Sequence, residues 1–267
     1  MSPGAPPGGN PERQYLQFTA ETSSNGVRER TFTLGDITGV LWSPTSGSDR
    51  APLVLMAHGG GQHKRAPGIV GRAHRFVTGC GFSVTAIDAP GHGDRPRTAE
   101  DEQHIAALQQ AQAAGEPLGP VTVGIHIDLA ARAVPEWQAT LDALQELPEI
   151  GTDGPVGFWG IMQGTGIGVP LTAIEPRITA AVFGCLGHES LIEAAARITI
   201  PVEFLLQWDD EHVERQSGLA LFDAFASKEK TLHANSGGHA EVPRFEVDSA
   251  TLFFARHLGR GVDTPPA

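Results

Sequence analysis

The sequence predicts an α/β fold: a mostly parallel, eight-stranded sheet with helices on both faces. Three observations carry the prediction. Continuous apolar runs such as "LVLMA", Leu53 to Ala57, recur along the chain, as strands covered on both faces require. They alternate with stretches of helical spacing, the pattern of right-handed strand-helix-strand crossovers. The runs end in glycine and polar residues, and ligands of open α/β sheets bind beyond those strand ends.

The elements follow in order. "RERTFTLGDITGVLWSP" holds two strand-like runs about Gly35-Asp36 and reads as a hairpin. "APLVLMAHGGG" is a covered strand, and a helix-compatible stretch runs from Pro67 to Thr78. "GFSVTAIDAPGHGD" gives the next strand. "HIDLAARAVPEWQATLDALQEL" has helical spacing, with Pro135 marking a kink or the first turn. "GPVGFWG", "ITAAVFGCL" and "PVEFLLQW" supply three strands, separated by the helices "TGIGVPLTAI" and "ESLIEAAARI". "SGLALFDAFA", "KTLHANS" and "EVDSATLFFARHL" close the chain as helix, strand and helix. Residues 97–122 are extra to this alternation and contain one polar helix; they read either as a small lid or as a surface excursion.

A chain of 267 residues, 40% hydrophobic and 19% charged, is expected to form a single domain over residues 28–259. A Pro- and Gly-rich leader and lead-in, 1–27, and a disordered tail, 260–267, flank it. The net charge of −12 argues against nucleic acid and anionic membranes as partners. No apolar run of about 18 residues suggests a span. The leader lacks a signal-peptide core, and two cysteines, Cys80 and Cys185, read as reduced thiols, so the cytoplasm is the expected compartment. The eleven histidines are scattered, with no H-E-x-x-H and no paired Cys-x-x-Cys, and no G-x-G-x-x-G follows an early strand. No metal or cofactor is expected, and the partner is a small-molecule substrate. Oligomeric state is open.

The loops after the strands hold the chemistry. After the third comes His58-Gly59-Gly60-Gly61-Gln62-His63-Lys64, and after the fourth, Asp88-Ala89-Pro90-Gly91-His92-Gly93-Asp94-Arg95. "VGFWG" leads into Ile161-Met162-Gln163-Gly164, "EFLLQW" into Asp209-Asp210-Glu211, and the last strand into Ser236-Gly237-Gly238-His239. In this order the motifs resemble those of the α/β-hydrolases, close to the dienelactone hydrolase and prolyl-oligopeptidase-like esterase branches, from about Arg30 to Leu258. The resemblance implies hydrolysis of an ester, lactone or related acyl bond. It places Met162 at the nucleophile, Asp210 at the acid and His239 at the base; "DDEHV" selects Asp210 over Asp209. Gly60 or Gly61 and the N–H of Gln163 take the oxyanion positions, and His58, Gln62, His92 and Cys185 are expected beside the substrate.

One residue departs from the pattern. In G-x-S-x-G the central residue is serine, and Met162 can neither give up a proton nor attack a carbonyl. Three readings stay open: a serine hydrolase with methionine at its nucleophile position and so inactive as written, a non-nucleophilic enzyme using His239 and Asp210 as a base, and a non-catalytic small-molecule-binding descendant.

Overall fold

The computed structural model describes residues 15–46, 50–116 and 119–259; the leader residues 1–14 and the tail 260–267 lie outside the described residues. Chain order begins with three antiparallel strands, β1 (Gln17–Ser24), β2 (Val27–Leu34) and β3 (Ile37–Pro44). Then come β4 (Leu53–Ala57), α1 (Pro67–Cys80), β5 (Ser83–Ile87), α2 (Ala99–Ala114) and α3 (Gly119–Gln145). β6 (Val156–Gly160), α4 (Gln163–Thr172) and β7 (Ile178–Gly184) follow, then a 3-10 turn (Glu189–Leu191) with the short α5 (Ile192–Ala195). β8 (Val202–Gln207), α6 (Arg215–Ala224), β9 (Lys230–Asn235) and α7 (Phe245–His257) complete the chain.

All strands join one sheet in the order β1-β2-β3-β5-β4-β6-β7-β8-β9. β3 pairs antiparallel with β5, and every pair beyond it is parallel. The sheet therefore has nine strands where the sequence predicts eight, because part of the expected lead-in is β1. β1 is exposed along its whole length, so its sequence carries no buried period-2 stripe. Its signal is the turn: Asn25 and Gly26 have φ of 50° and 79° and join Ser24 to Val27, as a two-residue hairpin loop of the Asn-Gly type requires.

The two faces of the sheet bury separate cores. On β4, Leu53, Leu55 and Ala57 pack with α3, α4 and α6, whereas Val54 and Met56 pack with α1 and α7. This alternation is the pleat's period of two, and it explains why the strand reads as a continuous apolar run. α3 is longer than the sequence suggests and contains Pro135 within its span, so that proline interrupts neither end. α2 buries only Asp101 and Ala111; a capping box with Thr98 starts it. It is tied to α3 by the Arg132 guanidinium, 2.7 Å from Asp101 Oδ1.

Candidate active site

β6 ends in a sharp turn whose central residue, Met162, has φ 56° and ψ −125°. A bulky side chain in that region is strained, and surrounding contacts hold it there. The Met162 N–H donates to Gly184 O at 2.8 Å, and the buried Thr165 hydroxyl lies 2.7 Å from the same carbonyl. The flanking glycines are required by close approach. A Cβ on Gly160 would stand 2.8 Å from Gly164 O, and one on Gly164 would stand 2.8 Å from Ala57 O. α4 begins at Gln163, whose backbone N–H is an orphan donor of the first helical turn.

The glycine loop after β4 faces this turn. Gly61 has φ 68°, and a Cβ on Gly59 would lie 3.6 Å from Met162 Sδ, so the methionine's thioether packs under the loop. Lys64 anchors the loop's far end. Its ammonium, 3% exposed, lies 2.5 Å from Asp88 Oδ2 and 2.6 Å from Asp94 Oδ2, and its N–H donates to Asp88 Oδ1 at 2.8 Å. Burial alone would raise the Asp88 pKa; the hydrogen bonds from Lys64, Asp94 N–H and Thr38 outweigh it and hold the carboxyl below its usual range.

His58 is not beside the substrate as expected. It is fully buried, it donates from Nδ1 to Gly59 O at 2.9 Å, and its Nε2 accepts from Ala89 N–H at 3.0 Å. It is a neutral brace between the β4 and β5 loops, its pKa pushed by burial down to about 4. Cys185 is also misplaced by the sequence reading: it is buried at the end of β7, lines neither cavity at the turn, and burial pushes its thiol up to about 12.

Asp210 and His239 meet as expected. Asp210 Oδ2 lies 2.8 Å from His239 Nδ1, and its Oδ1 accepts from the N–H groups of His212 and Val213 at 2.8 and 2.9 Å. The Asp210 side chain is 3% exposed and the imidazole 21%. Glu211 accepts from His239 N–H at 2.9 Å and so fixes the backbone of the histidine loop.

Two cavities open at the turn. The larger, about 510 Å³, is bounded by Gly60, Gly61, Gln62, His92 and Gln163 on the sheet side. Ile105 and Leu108 of α2, with Ile125 and His126 of α3, form its outer wall, so α2 and the first half of α3 stand over the site. Gln163 Nε2 and His126 Nδ1 are buried without a protein partner. The smaller cavity, about 390 Å³, lies between Met162, Gln62, Arg72, Trp159 and Ala240, the residue after His239. Sequence reasoning missed Lys64, His126 and Arg72. Each draws its place from a tertiary neighbour and carries no local motif.

Among the described residues, one group brings three metal-type ligand atoms within 4.8 Å of one another: Glu203, His233 and Glu246, on β8, β9 and α7. There His233 Nδ1 lies 2.8 Å from Glu246 Oε2, and Asn235 and Ser249 donate to the two carboxylates. The group is apart from the residues bounding the two cavities. No helix among the described residues is long and apolar enough to cross a membrane.

A parallel α/β sheet with a strained turn after β6, an acid after β8 and a histidine after β9 defines the class of the α/β-hydrolases. No protein-family model matches the chain, and no curated protein matches it. Solved structures do. A cold-adapted esterase from an Arctic intertidal metagenomic library, in a complex with PEG, is 34% identical with a TM-score of 0.74, covering 91% of this chain and 99% of its own. Acetyl xylan esterase 1 from Thermoanaerobacterium sp. JW/SL YS485 is 16% identical over 91% of this chain and 88% of its own, with a TM-score of 0.68. An esterase from Pyrococcus furiosus is 14% identical with a TM-score of 0.63, covering 96% and 99%. The last two likenesses are of fold. The first places the family: this chain belongs to the α/β-hydrolase esterases, and its enzyme class is hydrolase.

Proposed function

We propose that the site is built to hydrolyse an ester, lactone or related acyl bond of a small molecule, and that Met162 disables it as a serine hydrolase in the chain as written. The closeness of "DDEHV" and "NSGGH" to the dienelactone hydrolase and prolyl-oligopeptidase-like esterase branches supports the same reading. The observation that carries it is the Asp210–His239 hydrogen bond of 2.8 Å, retained beside a turn that keeps the strained geometry of a nucleophile position, φ 56°.

In this reading a serine at 162 supplies what is missing. Its hydroxyl attacks the acyl carbon while His239 Nε2 takes the proton, and Asp210 fixes the tautomer and stabilises the imidazolium. The N–H groups of Gln163 and of Gly60 or Gly61 receive the negative charge on the former carbonyl oxygen. Collapse breaks the bond to the leaving oxygen, which takes the proton from His239. Water then repeats the sequence on the acyl-enzyme. Within the expected lid, α2 covers the larger cavity, with Gln62 and His92 on its opposite wall.

The test is turnover of a short-chain aryl ester panel by the protein as written, by Met162→Ser and by Met162→Ser with His239→Ala. The reading requires hydrolysis by the serine form alone. Equal turnover by the methionine and serine forms overturns it.

A further inference from the structure

We propose that the cavity beside Met162 is a carboxylate-binding subsite, in which Arg72 and the first turn of α1 hold an anionic group of the ester substrate; the proposal rests on the ester-hydrolase reading of this site.

The chain carries 31 acidic residues against 19 lysines and arginines, so a half-buried arginine has many acids to choose from. Four take one: Arg30 pairs with Glu149, Arg95 with Glu136, Arg132 with Asp101 and Arg177 with Glu175, whereas Arg215 caps the Trp208 carbonyl and stacks on that ring, away from both cavities. Arg72 takes none. Among the described residues its guanidinium has two partners, the carbonyl of Gly68 at 2.9 Å and the Trp159 ring, 4.5 Å from the centroid. Burial lowers its pKa and no carboxylate restores it, yet a guanidinium stays charged at neutral pH.

The surroundings point the same way. No acidic residue bounds the cavity, whose other polar walls are Gln62 and His63. α1 starts there with Pro67 and Gly68, and its first turn holds no acid, so the positive end of a 14-residue helix faces the space. The guanidinium lies over Trp159 and spends Nη1 on Gly68 O, which leaves the Nε and Nη2 edge for a planar, two-oxygen acceptor. The same cavity is bounded by Met162 and by Ala240. A carboxylate held by Arg72 and an acyl group at position 162 therefore share one cavity of about 390 Å³. The substrate class is a hemiester of a short dicarboxylic acid.

The first experiment is calorimetric titration of the protein as written with monomethyl succinate and with dimethyl succinate, each at low and high salt. The expected result is about tenfold tighter binding of the hemiester, as one charge-assisted pair supplies, with the preference shrinking in high salt. Arg72→Gln abolishes the preference, and Arg72→Lys keeps part of it. Equal affinities, or a preference unchanged in Arg72→Gln, overturn the subsite and leave Arg72 as a packing residue on Trp159. Where Arg72→Gln does not fold, Arg72→Met preserves the stem and the salt dependence of the unaltered protein still decides. Hydrolysis of the two esters by Met162→Ser separates the claims. Equal kcat/KM on both overturns the subsite and keeps the ester reading, while selective binding without hydrolysis does the reverse.

Discussion

Lys64 Nζ lies 2.5 Å from Asp88 Oδ2, and both side chains are almost wholly buried. The pair joins the glycine loop after β4 to the loop after β5. Removing the ammonium leaves the buried Asp88 carboxylate without its counter-charge, held only by the N–H groups of residues 64 and 94 and the Thr38 hydroxyl. Lys64→Met should therefore cost about 3–5 kcal/mol of stability, read as a lowered midpoint in urea with unchanged slope. A loss within experimental error of zero would mean that the loop is held by other contacts.

The turn at Met162 predicts a second loss. A methyl group on Gly164 meets the Ala57 carbonyl at 2.8 Å, and backbone cannot rotate away as a side chain can. Gly164→Ala should destabilise by about 1–3 kcal/mol, as overpacking of a tight site does. A thermal midpoint equal to that of the unaltered protein would show that the turn yields.

The attachment of α2 should depend on pH. Burial would raise the Asp101 pKa, but hydrogen bonds from Arg132 and Thr98 outweigh it and hold the carboxyl at about 2, below its ordinary 3.8. A depressed carboxyl contributes stability that is complete above its unfolded pKa and is lost as pH falls through the folded one. Pepsin cleavage within residues 97–116 should accelerate as pH drops from 3.8 toward 2, over and above the enzyme's own pH profile on an unfolded control. In Asp101→Asn the segment should already be open at the upper end of that range. Flat protection across the window would detach the helix's stability from this carboxyl.

Burial also sets thiol chemistry. Both cysteines are buried and neither forms a disulfide, and burial pushes the Cys185 thiol up to about 12. Neither should react with a disulfide reagent at mildly alkaline pH until denaturant is added, when both should. Fast labelling of Cys185 in the native protein would place it at an open surface and revive it as a pocket residue.

Much of this was legible in the amino-acid order. β2 through β8 read as strands because each buries residues on a core face, β9 leans on the core through the partly buried Leu232, and turn, acid and histidine read directly because each follows a strand-like run. β1 escaped because its side chains are all exposed, although Asn25-Gly26 announces the hairpin. His58 was misread for a different cause. A histidine at a strand end looks the same in sequence whether its imidazole faces a ligand or spans two loops, and here Ala89 N–H and Gly59 O claim both nitrogens. Arg72 was invisible because its meaning lies in the carboxylate it lacks, which only the packing of α1 on Trp159 reveals.

The central claim is that the machinery around position 162 is intact apart from the missing hydroxyl. Its most direct measurement is the mass of the intact protein after exposure to an alkyl fluorophosphonate, for the chain as written, Met162→Ser, and Met162→Ser with His239→Ala. A serine oxygen activated by His239 displaces fluoride and forms a P–O bond. One phosphonyl adduct per chain, on residue 162, should form in the single variant alone. A folded Met162→Ser that gains no adduct would contradict it.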